Sequence, residues 1–172
     1  LLYALQKRTD PASIDRPVRI LGRYPLRGSI DLVECESGSN HLRVTDHKTG
    51  KAVDQSLVHI GGGRHLQPVL YALAAREVTD RPVLSGRLAY CTRRGGYSVR
   101  TVHVDDEATE AITTLYESLD DAFERGFFPA APAEGSCRYC DYRRICGPLE
   151  EQRTRVKQAD ALAQLHTLRD RP

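Results

Sequence analysis

The order of hydrophobic periodicities along the chain limits its fold more than any other feature. Apolar residues alternate with a period near two from Val18 to Tyr24, from Arg27 to Cys35 and from Leu42 to Lys48, the pattern of strands with one covered face. From about Arg64 to Glu77 the period changes, and Leu66, Val69, Leu70, Leu73 and Ala74 fall on one helical stripe. Pro68 fits that helix only in its first turn, where its missing N–H costs nothing. Leu84 to Thr92 and Tyr97 to Val104 return to period two around Arg93-Arg94-Gly95-Gly96, which predicts a hairpin. Asp105 is a good N-cap for a long helix with Ala108, Ile112, Leu115, Leu119, Ala122 and Phe123 inside, stopped by Gly126. Strands, helix, strands, helix in that order predict an α/β or α+β domain with helices packed on a sheet.

Local punctuation fills in the connections. Pro25 is expected to join Val18–Tyr24 to Arg27–Cys35 as an antiparallel hairpin, and Ser37-Gly38-Ser39-Asn40 to turn the chain into Leu42–Lys48. Gly61-Gly62-Gly63 lacks the Lys-Ser/Thr ending of a phosphate-binding loop and is read as the swing into the first helix. Leu1 to Leu5 read as part of a helix, broken at Thr9-Asp10-Pro11. A Pro129 to Pro132 connector leads to a cysteine-rich stretch, and a polar helix is expected from about Glu150 to Leu168. The 172 residues, 40% of them hydrophobic, suffice for one core, and a net charge of only +2 excludes a disordered polyelectrolyte. Because the sequence contains no Met, it is expected to be a carboxy-terminal fragment of a longer polypeptide, a single domain over 1–172. No apolar run approaches the roughly 18–20 residues that cross a bilayer.

The chemistry concentrates before the first helix. In Gly28-Ser29-Ile30-Asp31-Leu32-Val33, Asp31 shares a strand face with Ser29 and Val33. In the run Leu42 to Gly50, Asp46 and Lys48 project together, with His47 opposite. An acid in an apolar strand is costly unless it is paired or bound to a cation. Neighbouring strands lie roughly 4.8 Å apart, so a hairpin brings Asp31 and Asp46 close. Their repulsion is relieved by a hard divalent ion such as Mg²⁺. Lys48 is one of only four lysines (Lys7, Lys48, Lys51 and Lys157) among 25 basic residues. As a compact cation it can orient or deprotonate a water, or offset charge in a transition state. Acid, acid and lysine over one metal make a phosphodiester-hydrolysis site. A lone Asp-x-Lys is ordinary surface; the flanking apolar strands and the next motif give this one weight. That motif is Gln67-Pro68-Val69-Leu70-Tyr71, which stacks an amide and a phenol one turn apart at the edge of the helical stripe.

Cys137, Cys140 and Cys146 follow a C-x2-C-x5-C spacing inside the segment 134–150. Three of five cysteines in ten residues read as metal ligation in an intracellular protein rather than a secreted disulfide framework, and spacing alone suggests zinc first. Cys35 shares a face with Asp31 and is expected in the core or near the site, and Cys91 is expected to be a small buried hydrophobe. Arg64 and His65 at the helix start, and Arg93 and Arg94 in the hairpin turn, are candidates for phosphate contact.

Gly28-Ser29-Ile30-Asp31, then Asp46-His47-Lys48-Thr49-Gly50, then Gln67-x-x-x-Tyr71 resembles the PD-(D/E)XK nuclease superfamily, from about Leu26 to Gly147. Within it, the likeness is to the RecB-like and AddB-like nuclease domains of helicase–nuclease enzymes and to related CRISPR-adaptation nucleases. The resemblance implies a central mixed β-sheet flanked by helices. It implies Asp31 and Asp46 as metal ligands with the His47 backbone carbonyl as a further one, Lys48 as the catalytic lysine, and Gln67 and Tyr71 as supporting residues. It implies cleavage of DNA, often from an end, with Mg²⁺ or Mn²⁺, in the cytoplasm. It also implies an iron–sulfur cluster where spacing alone suggested zinc, its fourth cysteine upstream of residue 1. No helicase motif is present, so a helicase domain or partner subunit is expected elsewhere. Two rival expectations are a catalytically inactive DNA-binding or scaffold module, and a zinc-binding interaction domain.

Overall fold

The structure is a computed structural model that describes residues 11, 13–53, 59–157 and 160–171. The expected opening helix at Leu1–Leu5 and its break at Thr9-Asp10 lie outside the described residues. Two short strands, β1 (Val18–Arg19) and β2 (Pro25–Leu26), pair antiparallel as a small separate sheet. Then come β3 (Leu32–Cys35), β4 (Leu42–Lys48), helix α1 (Gln67–Thr79), β5 (Val83–Tyr90), β6 (Val99–His103) and helix α2 (Asp106–Arg125). The short helices α3 (Arg143–Cys146), α4 (Glu150–Thr154) and α5 (Ala163–Arg169) follow.

The main sheet has the order β3-β4-β5-β6 and is mixed: β4 and β5 run parallel, the outer pairs antiparallel. The parallel pair requires a crossover, and α1 supplies it. This is the mixed sheet flanked by helices that the sequence pattern predicts. Helix α1 is buried along two stripes rather than the single one read from the sequence. Ala72 and Ala75 pack with Leu42, Val44 and Val83 of the sheet. Val69, Leu73 and Ala74 join Val102 of β6 and Ala108, Ile112 and Leu115 of α2. Completely buried side chains such as Val69 and Ile112 each contribute about 1.5–3 kcal/mol to folding. The Asp105 carboxylate accepts the Ala108 N–H at 2.8 Å and caps α2 as expected, and Gly126 ends it at φ 58°.

Several expectations need correction. The first hairpin does not run from Val18 to Cys35. Leu21 and Gly22 adopt positive φ (51° and 70°) inside a tight 3₁₀ turn, so the chain reverses early and β3 begins only at Leu32. Phe123 is not inside: it is 60% exposed and packs edge-on with Phe128, their centroids 5.2 Å apart. Cys35 and Cys91 are exposed rather than buried, and an Arg81 guanidinium nitrogen lies 2.8 Å from the Cys35 sulfur. The expected last helix is divided, α4 stopping at Thr154 and α5 starting at Ala163. No helix among the described residues is long and apolar enough to cross a membrane.

Candidate active site

The sequence-predicted residues gather at the carboxy-terminal end of β4, where the chain leaves the sheet and α1 begins. Ligands of open α/β sheets bind at such strand ends. Alternation along β4 places Leu42, Val44, Asp46 and Lys48 on the helix-facing side and Arg43 and His47 on the other, as their burial pattern shows. Asp46 is therefore carried into the core side by the same register that buries Val44, and it is only 8% exposed. Its Oδ2 is buried with no hydrogen-bond donor. The Lys48 ammonium lies 2.5 Å away, in a contact too poorly directed to count as a hydrogen bond. The carboxylate is thus compensated in charge but unsatisfied in hydrogen bonding, which is costly for a buried oxygen.

From Lys48 a polar chain runs onto α1. The ammonium donates to Gln67 Oε1 at 2.5 Å, and Gln67 Nε2 donates to the Tyr71 hydroxyl oxygen at 3.3 Å. An ammonium can only donate, so the Gln67 oxygen must face Lys48 and its amide must face Tyr71. The Tyr71 O–H is then left to donate outward. Lys48, Gln67 and Tyr71 thus form a directed series of hydrogen bonds.

A feature absent from the sequence reading sets its spacing. Gly86 of β5 lies directly beneath the first turn of α1: a Cβ there would sit 2.0 Å from the Pro68 carbonyl oxygen and 2.5 Å from its carbon. Only a residue without a side chain lets Pro68, and hence Gln67, approach the sheet this closely. The one signal in the sequence is a glycine inside an apolar strand, which often marks such an approach.

Asp31 stands one residue before β3, not within it. The pairing of Leu32 with Thr45 makes Asp46 its opposite number on the next rung. The Asp31 Oδ2 accepts the backbone N–H of His47 at 2.8 Å and lies 3.6 Å from the His47 ring. The contact between His47 and the acid is made by its backbone N–H. The turn carrying Arg93 and Arg94 folds back on the same strand end. Cys91 N–H donates to Lys48 O, and Thr92 Oγ1 donates to Thr49 O at 3.0 Å. Arg64 and His65 precede α1 and line a cavity that Lys48 also lines.

Among the described residues, at this strand end and in the cysteine segment alike, no three His, Cys, Asp or Glu side chains are gathered to hold a metal ion. Glu151 accepts the N–H groups of Gly135 and Cys137 at 3.1 and 3.0 Å. Burial, and next the Glu151 carboxylate, push the Cys137 thiol above its usual pKa. A metal would have to displace the thiol protons, and the three cysteines are not gathered around a common point here. The orphaned Asp46 Oδ2, by contrast, fits a cation.

A mixed sheet bearing two acids and a lysine on adjacent strand ends, with an amide and phenol from the crossover helix, defines a nuclease-type core. A family model described as the PD-(D/E)XK nuclease superfamily matches residues 3–147, and the chain belongs to that superfamily. No curated protein and no solved structure matches it significantly.

Proposed function

We propose that the chain is a divalent-metal-dependent DNA nuclease whose centre comprises Asp31, Asp46, Lys48, Gln67 and Tyr71. Superfamily membership supports a nuclease, and the buried, hydrogen-bond-deficient Oδ2 of Asp46 is the observation that carries the metal reading. Asp46 and Asp31 would hold Mg²⁺ or Mn²⁺, with the His47 carbonyl as a further ligand. When bound, such an ion supplies Lewis-acid polarisation of a phosphate and a water of lowered pKa. The protein's own contribution is positional. Gln67 accepts a hydrogen bond from Lys48 and the Asp46 carboxylate offsets its charge, together fixing the ammonium where negative charge would develop on the phosphate. Tyr71 O–H is free to donate to a phosphate oxygen. Arg64 and His65 before α1, and Arg93 and Arg94 in the turn tied to Lys48 and Thr49, would contact the DNA backbone.

The finer reading is an exonuclease of the RecB-like or AddB-like kind, cytoplasmic, working beside a helicase domain or partner subunit in DNA repair or recombination. Its support is the motif order described above. The iron–sulfur reading of Cys137, Cys140 and Cys146 rests on the resemblance to the AddB-like branch, whereas their spacing alone suggests zinc. A brown protein with absorbance near 400 nm (roughly, as for such clusters) supports iron–sulfur, and a colourless zinc-loaded one supports zinc.

The deciding experiment incubates end-labelled DNA with wild type, Asp46→Asn and Lys48→Ala, in Mn²⁺ or Mg²⁺ and in EDTA. Cleavage is expected only with metal, and each substitution should lower it by about 10²–10³-fold or more. Equal cleavage by all three proteins overturns the assignment, and no cleavage by wild type favours the inactive DNA-binding module.

A further inference from the structure

We propose that residues 168–171, at the end of α5, are a positioning element for Gln67: they hold the Gly61-Gly62-Gly63 turn that leads into α1, and so help to set where Gln67 meets Lys48. That Gln67 serves a nuclease centre rests on the reading above; the hold itself rests on the contacts that follow.

The start of α1 needs outside support. Gln67 is its first residue, and helix ends fray because their opening N–H groups lack intrahelical partners. Leu66, just before it, has no side-chain oxygen to cap them, and Pro68 brings no N–H. Upstream, Gly61, Gly62 and Gly63 all adopt left-handed φ, at 54°, 63° and 80°. Glycine enters this region freely and leaves it as freely, so three in succession do not fix their own conformation. Arg64 N–H donates to Gly61 O at 3.2 Å and His65 N–H to Ile60 O at 3.0 Å, which shapes the turn without placing it. Placement comes from the completely buried Ile60 on one side, Val69 on the other, and residues 168–171 between them.

The contact is specific and anchored. Gly62 N–H donates to Arg171 O at 2.8 Å. A Cβ on Gly62 would lie 2.6 Å from Arg169 O, and one on Gly63 would lie 3.7 Å from the Leu168 side chain. Gly62 is thus required twice, by its φ and by the approach of another backbone. The segment that approaches is itself tied at three points. Leu168 packs on the core cluster that includes Ile60 and Ile112. An Arg169 guanidinium nitrogen donates to Ala131 O, and the Arg171 guanidinium donates to Glu110 Oε1 of α2 at 3.0 Å. The turn is therefore held against α2 and the connector at Ala131, elements distant from it in sequence.

The test acts on the contact from both sides in the full chain, with Gly62→Ala and Leu168→Ala. Gly38→Ala is the control for backbone strain alone, since Gly38 is also left-handed, at φ 80°, but has open space where a Cβ would go. NMR without metal or DNA is read first. The Gly62 N–H should be protected from hydrogen exchange in wild type, and Leu168→Ala should speed its exchange at least about tenfold. Gly62→Ala and Leu168→Ala should both shift the Gln67 side-chain amide signal, which Gly38→Ala leaves in place. In the Mn²⁺ cleavage assay both should lower kcat at least about tenfold with KM within about twofold, while Gly38→Ala keeps the wild-type kcat. An unprotected Gly62 N–H in wild type overturns the proposal. So does a Gln67 amide signal that Leu168→Ala leaves unmoved, or a kcat lowered no further than in Gly38→Ala. Should Gly62→Ala fail to fold, wild-type exchange and Leu168→Ala decide the matter. If wild type does not cleave DNA, only the nuclease reading falls, and the exchange and amide signals still decide the hold on Gln67.

Discussion

The end of β4 and the cysteine segment carry equally suggestive motifs, yet the structure treats them differently. At β4 the polar groups are fixed by elements with a core behind them: Val44 and Leu88 are buried on either side of the strand pairing, and Val69 and Leu73 anchor α1. Lys48, Gln67 and Tyr71 therefore meet without any ligand. The segment around Cys137–Cys146 has no such backing. Tyr139, Tyr142 and Ile145 are 82%, 69% and 82% exposed, and the segment is tied down by the Glu151 carboxylate. A packed scaffold can hold a site ready in advance, whereas a short exposed segment takes its geometry from whatever binds it.

The largest effect that tests this contrast comes from Gly86→Ala. Its methyl would begin 2.0 Å from the Pro68 carbonyl oxygen, where ordinary contact starts near 3.4 Å, so the start of α1 must move by more than 1 Å. Such overpacking costs about 1–3 kcal/mol of stability. The same displacement breaks the 2.5 Å bond between Lys48 and Gln67, and misplacement by 1 Å costs on the order of 10²-fold in rate. A purely structural defect would multiply with Gln67→Ala. If Gly86 acts through Gln67, adding Gly86→Ala to Gln67→Ala should cost little further activity. Ile112→Ala, a core cavity in α2, serves as the comparison of similar stability. Multiplicative losses in the cycle would show that Gly86 does no more than fill space correctly.

The second test acts on the exposed segment. The Cys137 thiol is held up by burial and by Glu151, while Glu151 itself is held below the usual carboxylate range by the N–H groups of Cys137 and Gly135. Glu151→Gln removes the negative charge, so the thiol pKa falls and more thiolate is present near pH 8. Alkylation of Cys137 by iodoacetamide should therefore accelerate several-fold, with DNA cleavage unchanged. The wild-type clip is a depressed-pKa carboxylate, so its stabilisation is present above the unfolded-state pKa and is lost as pH falls through the folded one. Proteolysis of the segment should accordingly rise in acid for wild type, and show a weaker pH dependence in the variant. Alkylation that stays the same or slows would mean the carboxylate does not hold the thiol.

What was legible in the sequence follows the same division. The shared face of Asp46 and Lys48, and the stacking of Gln67 on Tyr71, are consequences of periods two and 3.6, which local sequence carries. The left-handed conformation of Leu21, at φ 51°, is not. A leucine rarely adopts it, and the period-two reading of Val18–Tyr24 failed there. Gly86 was only half readable: a glycine in an apolar strand marks a close approach, but that Pro68 makes it depends on three dimensions. Glu151 lies fourteen residues from Cys137, and its capping of that backbone is a tertiary contact that a cysteine spacing does not announce.

The smallest expected effect is that of Gly28→Ala, and its smallness is informative. Gly28 opens the Gly28-Ser29-Ile30-Asp31 motif, so by sequence it looks at least as constrained as Gly86. In the structure a Cβ at Gly28 would meet Tyr71 Cε1 at 3.5 Å and its hydroxyl at 3.6 Å, ordinary van der Waals contact, and the backbone there needs no left-handed φ. Activity should stay within about twofold of wild type, and the stability change should remain within about 0.5 kcal/mol. A larger side chain such as that of Gly28→Val would press on the Tyr71 ring and pull its hydroxyl from Gln67, so it should cost activity where alanine does not. If alanine alone cripples the protein, Tyr71 must sit closer to the substrate path than its packing indicates. The constraint would then come from the substrate side rather than from the scaffold.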